Sequence, residues 1–130
     1  MTHRLLFTAL LYVCVGCGPD ETISGYADPQ AIYVLKSVDG AAFEATADIA
    51  FPEEGTVIGN GPCNSFRASQ SAPYPWFDLG PIAATRRACP DLAQEQTYFE
   101  ALETVTLVEV SGTALLLTNT DGAELVFHSD

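Results

Sequence analysis

The chain has 130 residues, 48% of them hydrophobic and 10% aromatic. This bounds it to one small domain plus a leader, with apolar content for a modest core and not for a disordered chain. Seventeen acidic residues against five Lys and Arg leave a formal charge of -12, which argues against nucleic acid and against electrostatic docking on anionic lipid, since both need basic patches.

Residues 1–16 read as a lipoprotein signal peptide. Thr2-His3-Arg4 is a short charged start, and residues 5–15 form an almost unbroken apolar run. About eleven residues is too short to span a bilayer, which takes roughly 20, and suits a signal-peptide core. The run ends in Cys14-Val15-Gly16-Cys17. This resembles a bacterial lipobox with Cys17 as the acylated residue, although Cys14 stands where Leu is usual. An ordinary secretory leader or an uncleaved anchor is the alternative. Acylation would hold the protein to a membrane of the bacterial cell envelope, facing the periplasm. Gly18, and not Asp, follows Cys17, which favours the outer membrane. Cleavage before Cys17 would leave four Lys and Arg against 17 acidic residues, and 4 - 17 = -13. Such a domain should hang clear of an anionic surface. Residues 17–30, rich in Gly, Pro, Asp, Glu and Ser, read as a flexible tether.

From residue 31 the pattern is that of short strands. Residues 31–38 alternate and end at Asp39-Gly40; residues 41–47 are a connector or edge strand. Strands are expected at 48–51, closed by Pro52, and at 56–58. Residues 66–71 should pair with the latter as a hairpin, and 76–79 form another short strand. A helix is expected over 92–105, because Leu92, Tyr98, Phe99, Leu102 and Val105 share one face while Glu95, Glu100 and Glu103 lie away from it. Pro90 blocks its backward extension, and Asp91 followed by Gln94 reads as a capping box. Strands at 106–110, 114–118 and 124–128 follow, the last two joined through an Asp-Gly turn signal. The fold class is α+β and mostly antiparallel β, a small barrel-like sheet covered by one α-helix.

The stretch from Gly59 to Leu92 carries the most distinctive residues. Gly59, Cys63, Asn64 and Phe66 form one block; Thr85, Arg86, Ala88, Cys89 and Pro90 form a second. With Tyr33, Leu35 and Gly40 before them, and Glu95, Phe99, Leu115, Leu117, Gly122 and Phe127 after, residues 31–130 resemble the META domain of HslJ-like proteins. Tyr33 stands where the family usually has Trp, and Pro62 where Gly is common. The resemblance implies a mostly antiparallel, barrel-like fold with one helix, and an envelope location in many members. It supplies no reaction.

In an oxidising envelope Cys63 and Cys89 are expected to pair. Two buried free thiols, or a reactive cysteine, are the alternatives. Closing about 27 residues contributes on the order of 3.5 kcal/mol in the chain-entropy model. The spacing is no metal pattern, and no metal or cofactor is expected. Asn64, Thr85 and Arg86 are the candidates for ligand or partner contact. Asn64 reads first as a turn residue satisfying nearby backbone, and Arg86 as a partner for an acidic neighbour. Gly59 and Gly61 read as backbone geometry, not as a phosphate loop. Trp76 and Phe77 suit the core, with an exposed aromatic platform as the alternative. No nucleophile elbow or carboxylate pair stands out.

The expected function is therefore that of a membrane-tethered, non-enzymatic envelope module. It would support envelope integrity or stress tolerance through an envelope protein partner. The alternative is a carrier or sensor of a small apolar ligand held inside the barrel.

Overall fold

A computed structural model describes residues 18–130. The expected signal peptide and the acylation site Cys17 lie outside the described residues. Nine strands form one antiparallel sheet: β1 (Tyr33–Val38), β2 (Ala41–Ala42), β3 (Asp48–Glu53), β4 (Gly55–Asn60), β5 (Ser65–Gln70), β6 (Ala83–Ala84), β7 (Leu107–Ser111), β8 (Ala114–Thr118) and β9 (Glu124–His128). One helix, α1 (Leu92–Thr104), separates β6 from β7. The strand order is β6-β5-β4-β3-β1-β9-β8-β7, and β2 adds to β1 off this path. Two meanders thus flank β1, which joins β3 on one side and β9 on the other.

The sheet curls but does not close, so a barrel describes it only loosely. β6 and β7 end the ladder without pairing to each other. The interval between the two halves is crossed by residues 74–80. Trp76 bridges Leu107 of β7, and Leu79 bridges Gln70 of β5. Two bridges three residues apart, each adding one strand spacing, hold those strands within roughly 20 Å of each other. The buried amide of Gln70 fixes this crossing: its Oε1 accepts from Ala72 N and Asp78 N, and its Nε2 donates to the Ala72 carbonyl. The stretch 76–79, expected as a strand, is therefore a strap making isolated bridges. β6 is two alanines long and carries no strand pattern in the sequence, and β3 runs past Pro52. A register shift between Ala50 and Glu53 accommodates the proline, which has no N–H for the ladder.

Alternation decides which side chains meet inside. β5 buries Phe66, Ala68 and Gln70 and exposes Ser65, Arg67 and Ser69. Ile49, Phe51, Val57, Leu115, Leu117, Leu125 and Phe127 fill the interior with Tyr98 and Leu102 of α1, all of them fully buried. The Tyr98 ring lies 6.1 Å from Phe66 and 6.2 Å from Phe127. Aromatic rings thus occupy the interior in which the alternative reading would have lodged an apolar ligand.

The expected tether is folded from Asp20 onward. The Asp20 carboxylate accepts from Thr22 N at 2.8 Å, from Thr22 Oγ1 at 2.6 Å and from Ser24 Oγ, starting a 3-10 turn at Ile23–Gly25. Slight burial raises the Asp20 pKa, but the hydrogen bonds from Ser24 and Thr22 outweigh it and hold the pKa below the usual value. Ile23 and Ala27 enter the core, and Tyr26 stacks on Tyr74 at 4.2 Å. Polar composition concealed this apolar pair, spaced by four.

Tyr98 Oη donates to the Asp48 carbonyl at 2.9 Å. Burial, helped by the Asp48 charge, raises its pKa well above the ordinary tyrosine value. A raised folded pKa means this contribution to stability is complete below the unfolded value, about 10, and is lost as pH rises beyond it. Ultraviolet titration should show a tyrosine that ionises only as the fold is lost. Tyr98→Phe should remove that late component; its persistence would count against the assignment.

Candidate functional site

The Gly59-to-Leu92 stretch folds into a clasp. Cys63 lies in the β4–β5 turn, and Cys89 precedes α1. They form a disulfide with a Cα–Cα distance of 5.6 Å, within the usual range. The bridge therefore ties the turn to the start of the helix. The expected capping box is absent: Asp91 makes no side-chain cap. Instead Leu92 N donates to the Cys89 carbonyl at 3.2 Å, and Glu95 N to the Asp91 carbonyl at 3.1 Å. Backbone turns take over the task expected of a carboxylate.

Glu95 is the largest departure from the sequence reading. It was expected on the solvent side, yet it is 3% exposed. Its Oε1 accepts from Cys63 N at 3.1 Å and Asn64 N at 2.7 Å, and its Oε2 accepts from Asn64 Nδ2 at 2.7 Å. The buried carboxylate of α1 thus satisfies two backbone donors of the turn, as a buried acid requires. Gly61 is needed beside it, because a Cβ there would stand 2.5 Å from Glu95 Oε1. Gly59 is more constrained: a Cβ would stand 2.3 Å from the Asp48 carbonyl oxygen, which belongs to a paired strand and cannot yield cheaply.

Asn64 links the clasp to the segment leading into the helix. Its Oδ1 accepts from Thr85 Oγ1 at 3.0 Å and Arg87 N at 2.6 Å, and its Nδ2 also donates to the Arg87 carbonyl at 3.0 Å. Two acceptor and two donor positions are filled within the chain, the full capacity of the amide. Asn64 is buried, so it serves the fold and has nothing left to offer a ligand. The Thr85 hydroxyl is likewise turned to Asn64. Of the three candidate contact residues, Asn64 is buried while Thr85 and Arg86 are exposed and line a groove beside the clasp. Among the described residues, every buried side-chain nitrogen and oxygen has a partner.

Beside the clasp, the outer face of β3 to β6 carries an open groove of about 760 Å³. Ile32, Ala50, Ile58 and Ile82 supply apolar lining, and Arg67 and Arg86 supply charge. Sequence patterning missed this groove because its residues come from five segments. Their common level is visible only through strand register. Among the described residues, no group of three or more His, Cys, Asp or Glu side chains is placed to hold a metal.

The family model of the META domain matches residues 29–130. The chain belongs to the META domain family. The META fold is shared with two proteins of known structure. One is an NMR structure of a protein from Burkholderia xenovorans, 22% identical, with a TM-score of 0.61 over 77% of this chain and 81% of that one. The other is an NMR structure with a TM-score of 0.58 at 23% identity, over 78% of this chain and 94% of its own. No curated protein matches the chain. In this META domain, the Cys-Asn pair and the helical Glu that carried the resemblance are parts of one buried clasp.

Two substitutions measure the clasp. Cys63→Ser should lower stability by about 3.5 kcal/mol, the loop-closure contribution of the disulfide. Glu95→Ala should cost roughly 3 kcal/mol or more, because three donors lose a buried acceptor. Denaturant unfolding checks both, and a Glu95→Ala change below about 1 kcal/mol would contradict a buried anchor.

Proposed function

We propose that this META domain is a membrane-tethered, non-enzymatic module of the bacterial cell envelope. It supports envelope integrity or stress tolerance by docking a protein partner. The supporting observation is that the interior is filled while large apolar side chains remain outside. Trp76 is 58% exposed and Tyr26 56% exposed. Phe77, next to Trp76, is buried, so the expectation that both rings enter the core holds for one of them. Backbone direction separates the two: Trp76 lies on the strap that bridges β7, and its neighbour turns inward.

Trp76 sits two residues beyond Tyr74, on whose ring Tyr26 stacks. Trp and Tyr supply most of the energy at many protein interfaces, because they desolvate a large area at small entropic cost. An acidic domain suspended from acylated Cys17 would keep this aromatic surface away from the anionic bilayer and open to periplasmic partners.

The test is photocrosslinking in cells with a benzophenone amino acid at Trp76, using exposed Glu54 as the control position. A discrete protein adduct at Trp76, lost in Tyr26→Ala, is the expected result. Equal adduct patterns at both positions would overturn the docking reading. Mass spectrometry of the same membrane-extracted protein should find a chain starting at acylated Cys17, and an intact Met1 terminus would overturn the tether.

A further inference from the structure

The strand registers align the outer groove in two rows. Ala50 pairs with Ile58, Ile58 with Arg67 and Arg67 with Ala83. Tyr33 pairs with Ile49, so Ile32 stands at the level of Ala50. This gives one row across five strands, running from exposed Ile32 to Arg67 and the β6 edge. At about 4.8 Å per strand it extends roughly 19 Å. The neighbouring row is polar: Asp48 pairs with Asn60, and Asn60 with Ser65. Asn60 N and Nδ2 both donate to the Asp48 carboxylate, at 2.9 and 3.1 Å. That carboxylate is held within its own row.

The groove is therefore graded along its length. Its β1–β4 end is apolar, with Ile32, Ala50 and Ile58. Its β5–β6 end is lined by Arg67 and Arg86, both exposed. This concentration stands out against the composition. The described residues contain four Lys and Arg, namely Lys36, Arg67, Arg86 and Arg87, among 17 acidic residues. Two of those four line one end of one groove. Two arginines at one end favour a carboxylate or another compact anion there, and an apolar trough selects a chain that gains by leaving water.

We propose that this groove binds a fatty acid, with its carboxylate between Arg67 and Arg86 and its acyl chain lying across Ile58 towards Ile32. The site lies on the outer face of the sheet, and it is independent of the aromatic surface around Trp76. The Arg pair sets the polarity of binding, because a neutral chain of equal length would leave both guanidinium groups without their counter-ion.

The test uses the whole protein in nanodiscs of zwitterionic phosphatidylcholine, with a diazirine-bearing fatty acid as the photoprobe and dodecanoate as competitor. Mapped adducts should fall on the peptides holding Ile32, Ile58 and Ile82, and dodecanoate should displace them. Dodecanol, which lacks the charge, should not compete. Arg67→Ala with Arg86→Ala should reduce labelling at least about tenfold, the loss of a charge-assisted contact. Ile58→Glu should reduce it too, by placing a charge in the trough. Both changes are at the surface, and an unchanged melting temperature confirms that the fold persists. Labelling spread evenly over the surface would overturn the proposal. So would competition by dodecanol equal to that by dodecanoate, or indifference to loss of the two arginines.

Discussion

The buried carboxylate of Glu95 is the constraint around which this fold is arranged. A helix and a strand turn meet there, and neither has a complete set of hydrogen bonds alone. The turn presents the N–H groups of Cys63 and Asn64 with no strand beside them, and the helix presents an acid that is 3% exposed. Each is costly to bury without the other. The Asn64 amide extends the pairing to Thr85 and Arg87, and the disulfide holds the two segments covalently. The clasp works as a unit, since removing one member strands the partners of the others.

With the first turn of α1 anchored in this way, the position of its apolar face follows. Glu95, Tyr98 and Leu102 are the buried positions of the helix, at spacings of three and four. Tyr98 then reaches into the sheet and donates to the Asp48 carbonyl. The sheet itself has open ends, and the strap at residues 74–80 manages one of them. It covers β7 with bridging backbone bonds and is pinned at its base by Gln70, so an exposed edge is converted into a paired one.

This arrangement separates architecture from function. The residues most conspicuous in the sequence are used up in holding the fold together: Cys63 and Cys89 are bonded to each other, and Asn64 and Glu95 are buried and satisfied. What the molecule offers to others lies outside the clasp. It is the aromatic surface at Tyr26 and Trp76, and the graded groove that ends at Arg67 and Arg86.

Short-range pattern determined much by itself. Alternation located β1 and β9, because period two along a strand needs no knowledge of its neighbour, and turn signals on either side located β8. The spacing of Tyr98, Leu102 and Val105 located α1, and the motif residues led to the family and to the cysteine pair. Only tertiary structure decided the rest. Helical periodicity put Glu95 on the polar side, since nothing local reveals that a turn 31 residues earlier will cover it. Composition made residues 17–30 a tether, although Ile23 and Ala27 are core residues once a sheet exists to receive them. The outer groove depends on register between five strand segments. A sequence specifies such contacts through the summed energy of the whole fold, and no single stretch carries enough of that energy to show them.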